Sequence, residues 1–307
     1  MSKVRVPRRS ISYRDHGVVI GIAPDYQQLA EWADATIRRI VADYPKAARL
    51  YERLVQDPRL DACWDLANYM AVYKLNYNDH GPVHARVATA AAMQMMVLLR
   101  QHAIPFDVVS SGAGDVDDAF LVVLAAEMLH DIGNMIHRVG HIEYGVMLAA
   151  QLLPRWLPEI YPDPEQEQLI AGFILSCIAS HDGSPPPLTV EASVVAIADG
   201  TDMTKGRGRA AFDLGKVDIH SVSALAVDEV EIRDGGDIPI EIVVYLSNSA
   251  GIFQVQEILA RKVVVTPLRD QVRIVVRARP ETPLADQRIV QRVVFENGRF
   301  QVARDDR

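Results

Sequence analysis

Two adjacent residues, His130 and Asp131, follow the apolar stretch 120–129. Imidazole and carboxylate both bind metals, and the pair falls where a buried helix should finish. Other candidate ligands lie at helix-sized intervals: His84 upstream, and His141, His181 and Asp199 downstream. Imidazole with carboxylate suits divalent transition metals, while carboxylate and water suit Mg or Mn. A donor set of this kind, without thiolate, points to a catalytic hydrolytic centre and not to a structural zinc clasp.

Each residue also has an ordinary reading. His84 taken alone is more often a hydrogen-bonded helix histidine. His80 lies four positions before it, but Gly81-Pro82 breaks any shared helical face. Neighbouring helix residues point about 100° apart. His130 and Asp131 therefore meet one centre only where the backbone turns, or they bridge two ions there. A buried Asp131 is costly unless a metal or a capping role compensates it. His137 and His141 are spaced i, i+4. His141 is the favoured ligand because Gly140 restarts the helix, and His137 is second in line, as a substrate contact. Asp182-Gly183 after His181 reads equally well as a turn, and Asp202 competes with Asp199.

The elements that must carry these residues are helical from about residue 26 to 203. Apolar spacing predicts helices over 26–44 and 60–77, then 83–102 opened by Pro82. Ser110-Ser111-Gly112-Ala113-Gly114 is a loop. Asp115, Asp117 and Asp118 favour the start of the next helix, which runs to His130 with Gly133 as a stop. Further helices are expected over 143–153, 164–180 and 190–203. After Gly215 the period changes. Residues 227–232 alternate as a half-buried strand does, and 238–246, 272–278 and 289–295 are further strand candidates. A helix is expected over 250–261, and Asn297-Gly298 signals a hairpin leading to Phe300 and Val302. The fold expected is mainly α, a helical bundle followed by a small α+β domain of β-β-α-β-β order. Its divisions are an arm over 1–24 (with a short strand at Val18-Val19-Ile20), a helical domain over 25–215 and an α+β domain over 216–307, with the boundary near 216–224.

The 307 residues are 49% apolar and 23% charged, which suits a globular chain and argues against extended disorder. A net charge of −8 disfavours nonspecific contact with nucleic acid polymers or anionic membranes. No apolar run reaches the ~18 residues of a membrane span, and the basic start is not followed by the apolar core of a signal peptide. Cys63 and Cys177 read as buried free thiols. The compartment expected is the cytoplasm.

With these residues assembled, the chain resembles the HD-domain superfamily of metal-dependent phosphohydrolases. The matching pattern is His84, then Leu129-His130-Asp131-Ile132-Gly133, then Ala198-Asp199-Gly200-Thr201-Asp202, covering roughly residues 60–205. The runs Asn78-Asp79-His80-Gly81-Pro82-Val83-His84, Lys205-Gly206-Arg207-Gly208-Arg209 and Asn248-Ser249-Ala250-Gly251-Ile252-Phe253 are similar to prokaryotic HD proteins of uncharacterised function with a small C-terminal α+β domain. The resemblance implies an HD-type bundle and one divalent ion held by His84, His130, Asp131 and Asp199. It implies a second ion at His141 and His181, in the two-metal branch, with Asp131 as bridge. The ion is one of Mn, Mg, Fe, Co, Ni or Zn. Three departures argue against cyclic-dinucleotide hydrolysis: Asn134 where a lysine often stands, Ser180-His181 in place of a tandem His-His, and Gly183-Ser184-Pro185 in place of Gly-Tyr-Pro.

The activity implied is hydrolysis of a phosphoester in a nucleotide or other small phosphorylated metabolite by metal-activated water, with His130 and Asp131 at its centre. Lys205, Arg207 and Arg209, in a glycine-rich loop, and Arg138 are candidates for gripping phosphate. The loop cations read equally well as a solvated basic junction. The C-terminal domain is ACT-like in outline, which fits a regulatory role or a homodimer contact. Two other functions remain: a non-catalytic metal or nucleotide sensor, and a helical scaffold whose histidines are structural.

Overall fold

The computed structural model of the protein describes residues 24–205, 207, 223–278, 292–296 and 299–302. Its helices are α1 (Pro24–Val41), α2 (Pro45–Gln56), α3 (Pro58–Asn68), α4 (Pro82–Gln101), the short α5 (Asp107–Ser110), α6 (Val116–Leu129), α7 (His141–Leu152), α8 (Pro164–Ser180) and α9 (Val190–Thr201). Proline opens α2, α3, α4 and α8, where a missing N–H is harmless. Asp57, Asp115, Asp163 and Thr189 accept backbone N–H groups at the starts of α3, α6, α8 and α9. At α6 the cap is reciprocal, Asp115 and Asp118 each accepting from the other's backbone.

The sequence reading leaves 45–56 unassigned, and α2 is found there. Its narrow apolar stripe, Ala47, Leu50, Tyr51 and Leu54, is buried, but the lysine and arginines between those positions mask the period. The helix expected over 60–77 is α3 continued by a π-helical turn, Tyr69–Lys74.

α6 is the axis of the bundle. Every residue from Asp118 to Leu129 is buried, and α2, α4, α8 and α9 all contact it. A helix apolar on all sides is stable only when surrounded. Trp64 of α3 donates its indole N–H to the Met128 carbonyl at 3.0 Å, which satisfies one open acceptor of the last turn. Past that end, Gly133 lies against α7. A Cβ at Gly133 would stand 1.9 Å from the His141 carbonyl oxygen and 2.4 Å from the Gly145 nitrogen. Gly133 is therefore required for close approach, and its role as a helix stop is secondary. The contact brings the start of α7, with His141, beside the end of α6.

The C-terminal part is a five-stranded sheet in the order β1 (Val227–Arg233), β2 (Ile240–Leu246), β3 (Val272–Ala278), β4 (Arg292–Glu296), β5 (Arg299–Val302). β2 and β3 are parallel, with Ile242 opposite Ile274, and the other pairs are antiparallel. Parallel neighbours need a crossover, and α10 supplies it, over 252–264, with a π-helical middle segment Val255–Ala260. β5 is the far arm of the expected hairpin and makes the sheet five-stranded; β4 is described from Arg292, and residues 289–291 of the expected strand lie outside the described residues. The expected strand at Val18-Val19-Ile20, most of the boundary region 216–224 and the Asn297-Gly298 turn lie outside the described residues. Cys177 is buried as expected, whereas Cys63 is only half-buried; both are free thiols.

α10 packs on α9, and α4 reaches β1 and β2. His102, at the end of α4, meets Asp234 at 2.9 Å. The sheet domain thus sits on the bundle with α10 facing the ends of α8 and α9. Among the described residues, no helix is long and apolar enough to cross a membrane.

Candidate metal centre

Three histidines arrive by the same local device. His130 follows the last residue of α6, His181 follows the last residue of α8, and His141 opens α7. Each turns its Nδ1 onto the carbonyl three residues back: His130 on Glu127 O at 2.8 Å, His141 on Arg138 O at 3.1 Å, His181 on Ile178 O at 2.7 Å. A carbonyl only accepts, so Nδ1 carries the proton and Nε2 is left as the donor atom for an ion. His84, in the first turn of α4, is set by a carboxylate instead. Its Nδ1 lies 2.8 Å from Asp202 Oδ2. His84 and His130 are fully buried, and Asp131 and Asp199 nearly so.

The Nε2 atoms converge. His84 Nε2 is 3.1 Å from His130 Nε2, 3.1 Å from Asp199 Oδ1 and 3.4 Å from Asp131 Oδ2. His130 Nε2 is 3.3 Å from Asp131 Oδ2 and 3.6 Å from Asp199 Oδ1. Donor atoms of His84, His130 and Asp199 lie within 4.8 Å of one another, as do those of His130, Asp131 and His181. Asp131 faces two ways. Its Oδ2 points to His84 and His130, and its Oδ1 lies 3.8 Å from His141 Nε2. Asn134 Nδ2 donates to that Oδ1 at 2.7 Å.

The electrostatics show what the cluster demands. Burial pushes the Asp131 carboxyl up, but the charges of His130 and His80 and hydrogen bonds from His130 and His84 hold it well below the usual carboxylate range. Asp199 behaves likewise, with Lys262 its strongest counter-charge. Burial and Arg207 lower His84, yet hydrogen bonds to Asp131, Asp199 and Asp202 lift it to about 10. His130 is also raised well above its ordinary value, Asp131 and Asp199 outweighing its burial. Positive charge is thus wanted where these side chains meet, and Lys262, Arg207 and protons on His84 and His130 supply it. His181 and His141 are pushed the other way by burial, His181 to about 3. Neutral imidazole is the form that binds metal. His141 Nε2 is buried and, among the described residues, has no hydrogen-bond partner. Behind His130, burial raises the Glu127 carboxyl to about 8, which leaves it mostly neutral at pH 7. Oxygen and nitrogen donors, an orphaned ring nitrogen and a demand for cationic charge all fit a divalent ion.

The six expected ligands are thus brought together. The phosphate candidates diverge. Arg138 lines the cavity above Asp131, with its guanidinium over the Tyr77 ring. Arg207 is buried, and its Nε and an Nη donate to the Asp79 and Asp202 carbonyls at 2.9 and 2.8 Å, so it braces the centre from within. Lys205 is exposed and pairs with Asp228 at 2.9 Å, away from the cavity. Arg209 lies outside the described residues. His137 is exposed and accepts from the Val139 N–H, so it is no cavity contact. Asp202 braces His84 Nδ1, whereas Asp199 faces His84 Nε2 and His130 Nε2.

Sequence reasoning missed Lys262. It enters from α10, bonds Asp199 Oδ2, donates to the His181 carbonyl at 3.0 Å and lies 3.4 Å from Asp182. It is buried, and its pKa is raised, Asp199 and Asp182 outweighing the burial. No local spacing links it to Asp199, 63 residues earlier. With α10 it closes a cavity of about 710 Å³ whose floor includes Asp131, His181 and Asp199.

The molecule is a mainly helical protein with a buried His/Asp cluster suited to a metal ion, covered by a small α+β unit. No family model and no solved structure matches it. It is 37% identical over 238 residues to "Uncharacterized protein MJ1020" of Methanocaldococcus jannaschii, spanning 78% of this chain and 92% of that protein. The chain belongs to the family of that archaeal protein.

Proposed function

We propose that the protein is a metal-dependent phosphohydrolase of HD type, acting on a nucleotide or another small phosphorylated metabolite. The observation that carries this reading is the convergence of His84, His130 and Asp199, from three separate helices, with donor atoms within 4.8 Å of one another and Asp131 Oδ2 at 3.4 and 3.3 Å from the two imidazoles. These four would hold the ion. When bound, the ion supplies a Lewis acid for a phosphoryl oxygen and an environment that acidifies water.

The chain's own residues account for the rest. His141 Nδ1–H is held by the Arg138 carbonyl, so the unpartnered Nε2 is placed to accept a proton from attacking water. Arg138, at the cavity wall, offers N–H groups to phosphate oxygens. Asn134 fixes the Asp131 carboxylate, so its orientation does not depend on the ion. The cavity is roomy enough for a nucleotide-sized ligand by the usual ~300–1,000 Å³ range. The sensor alternative draws on one observation, the entry of Lys262 from the C-terminal unit, which couples that unit to the centre.

The test is elemental analysis followed by a phosphomonoester and phosphodiester panel with Mn, Mg, Co, Ni and Fe, run beside Asp131→Ala. A bound divalent ion and metal-dependent turnover are expected, with turnover falling to the metal-free background in the variant. Stoichiometric metal without turnover of any ester selects the sensor.

A further inference from the structure

The number of ions turns on where Lys262 stands. Two donor groups come within reach of an ion, His84–His130–Asp199 and His130–Asp131–His181. Both depend on His130 Nε2, because His130 Nδ1 is held by the Glu127 carbonyl. They are overlapping halves of one site. A second ion must therefore use what remains: His141 Nε2, His181 Nε2 and Asp131 Oδ1.

That remainder has no carboxylate of its own. Asp131 Oδ1 already accepts from Asn134, and its Oδ2 serves the first site. The Oδ2 of Asp199 is taken by Lys262. Asp182, next to His181, lies 3.4 Å from the same ammonium. Arg138 stands 3.8 Å from Asp131 Oδ1 on the other side. A divalent ion there would meet two imidazoles and one shared oxygen, between two fixed cations. Three acceptors surround Lys262, and an ammonium has three N–H groups to give them.

We propose that Lys262 is the second cation of this centre. The protein holds one divalent ion at His84, His130, Asp131 and Asp199, and the ammonium carried by the C-terminal unit stands beside it in place of a second ion. The inference rests on the metal reading above. It makes the α+β unit part of the centre, since the bundle alone lacks this charge. Lys262 acts on the ion through Asp199, as a positioning residue that leaves Asp199 a single oxygen to offer.

The test counts ions in the full chain by elemental analysis and by calorimetric titration with Mn²⁺. One ion per chain is expected in the wild type and in Lys262→Arg, which keeps the charge. Lys262→Met, which keeps the length and loses the charge, is expected to take two, the second more weakly. Two ions in the wild type, or one in a folded Lys262→Met, overturns the inference and leaves the metal reading standing. No ion in any form overturns both. The wild-type count decides even if Lys262→Met does not fold, and Lys262→Gln then supplies the neutral variant.

Discussion

The end of α6 and the helix α10 deliver side chains to the same cavity, and they differ in how openly they do it. At the end of α6, His130 and Asp131 follow a helix that is buried from Asp118 onward and apolar there except for Asp118 and Glu127. An ionisable group in such a place must have a partner, because an unpaired buried charge costs several kcal/mol. The cost marks the residues. In α10, Lys262 follows Arg261 in the last turn of an amphipathic helix. A lysine there is favoured by the helix dipole alone and carries no mark. Chemistry that violates a local rule is visible in one sequence. Chemistry delivered by a crossover between strands is not.

The comparison breaks most sharply at glycine. Gly133 has no room for a methyl group, since its Cβ would collide with backbone of α7, whereas a Cβ at the exposed Gly172 of α8 meets nothing within 4 Å. Gly133→Ala is expected to lose about 3 kcal/mol of stability through overpacking, and metal affinity with it as His141 is pushed from Asp131. Gly172→Ala is expected to gain about 1 kcal/mol from helix propensity. Thermal and urea denaturation of both variants check this. Equal effects would mean that the approach of α7 to the α6 end is not what positions the site.

The helical bundle was legible because burial, periodicity and proline starts agree over 58–201, and the six donor residues were legible because each ends, begins or interrupts a buried helix. Three things were hidden. The stripe of α2 is too narrow among its charges to show a period. Arg207 and Lys205 look alike in the glycine-rich loop, yet one is buried against the Asp79 carbonyl and the other pairs with Asp228 at the surface. Only tertiary contact separates them. Lys262 needs the parallel pairing of β2 with β3, which fixes α10 as the crossover. A strand pattern alone does not set which neighbours are parallel.

A second variant sharpens the contrast among the histidines. His130, His141 and His181 are oriented by backbone carbonyls, which no side-chain substitution removes. His84 is oriented by Asp202. Asp202→Ala is therefore expected to weaken metal binding about 10–100-fold, the range seen for partners that orient metal-ligating histidines. Lys205→Ala, a loss of an exposed pair, is the matched control and should leave affinity unchanged. Competition with a chromophoric chelator measures both. An unaffected Asp202→Ala would show that His84 is held by packing alone.

The smallest effect concerns protons. In the metal-free protein His84 titrates at about 10 and His130 well above its ordinary value. Both folded values lie above the unfolded one of ~6.5. Their contribution to metal-free stability is thus fully present below about pH 6.5; that of His84 is lost as pH rises through about 10, and that of His130 as pH rises through its own raised value. An ion needs both rings neutral, so at pH 7.5 its uptake must expel protons from His84 and His130. Metal affinity should then climb with pH over this window, by up to about tenfold per unit for each proton released. Calorimetric titration in two buffers of different ionisation enthalpy counts those protons directly. A count near two places the ion on the α6 side of the cavity, among the cationic rings. A count near zero places it instead on His141 and His181, which burial already keeps neutral, and reverses the assignment of ion and ammonium to their two halves of the centre.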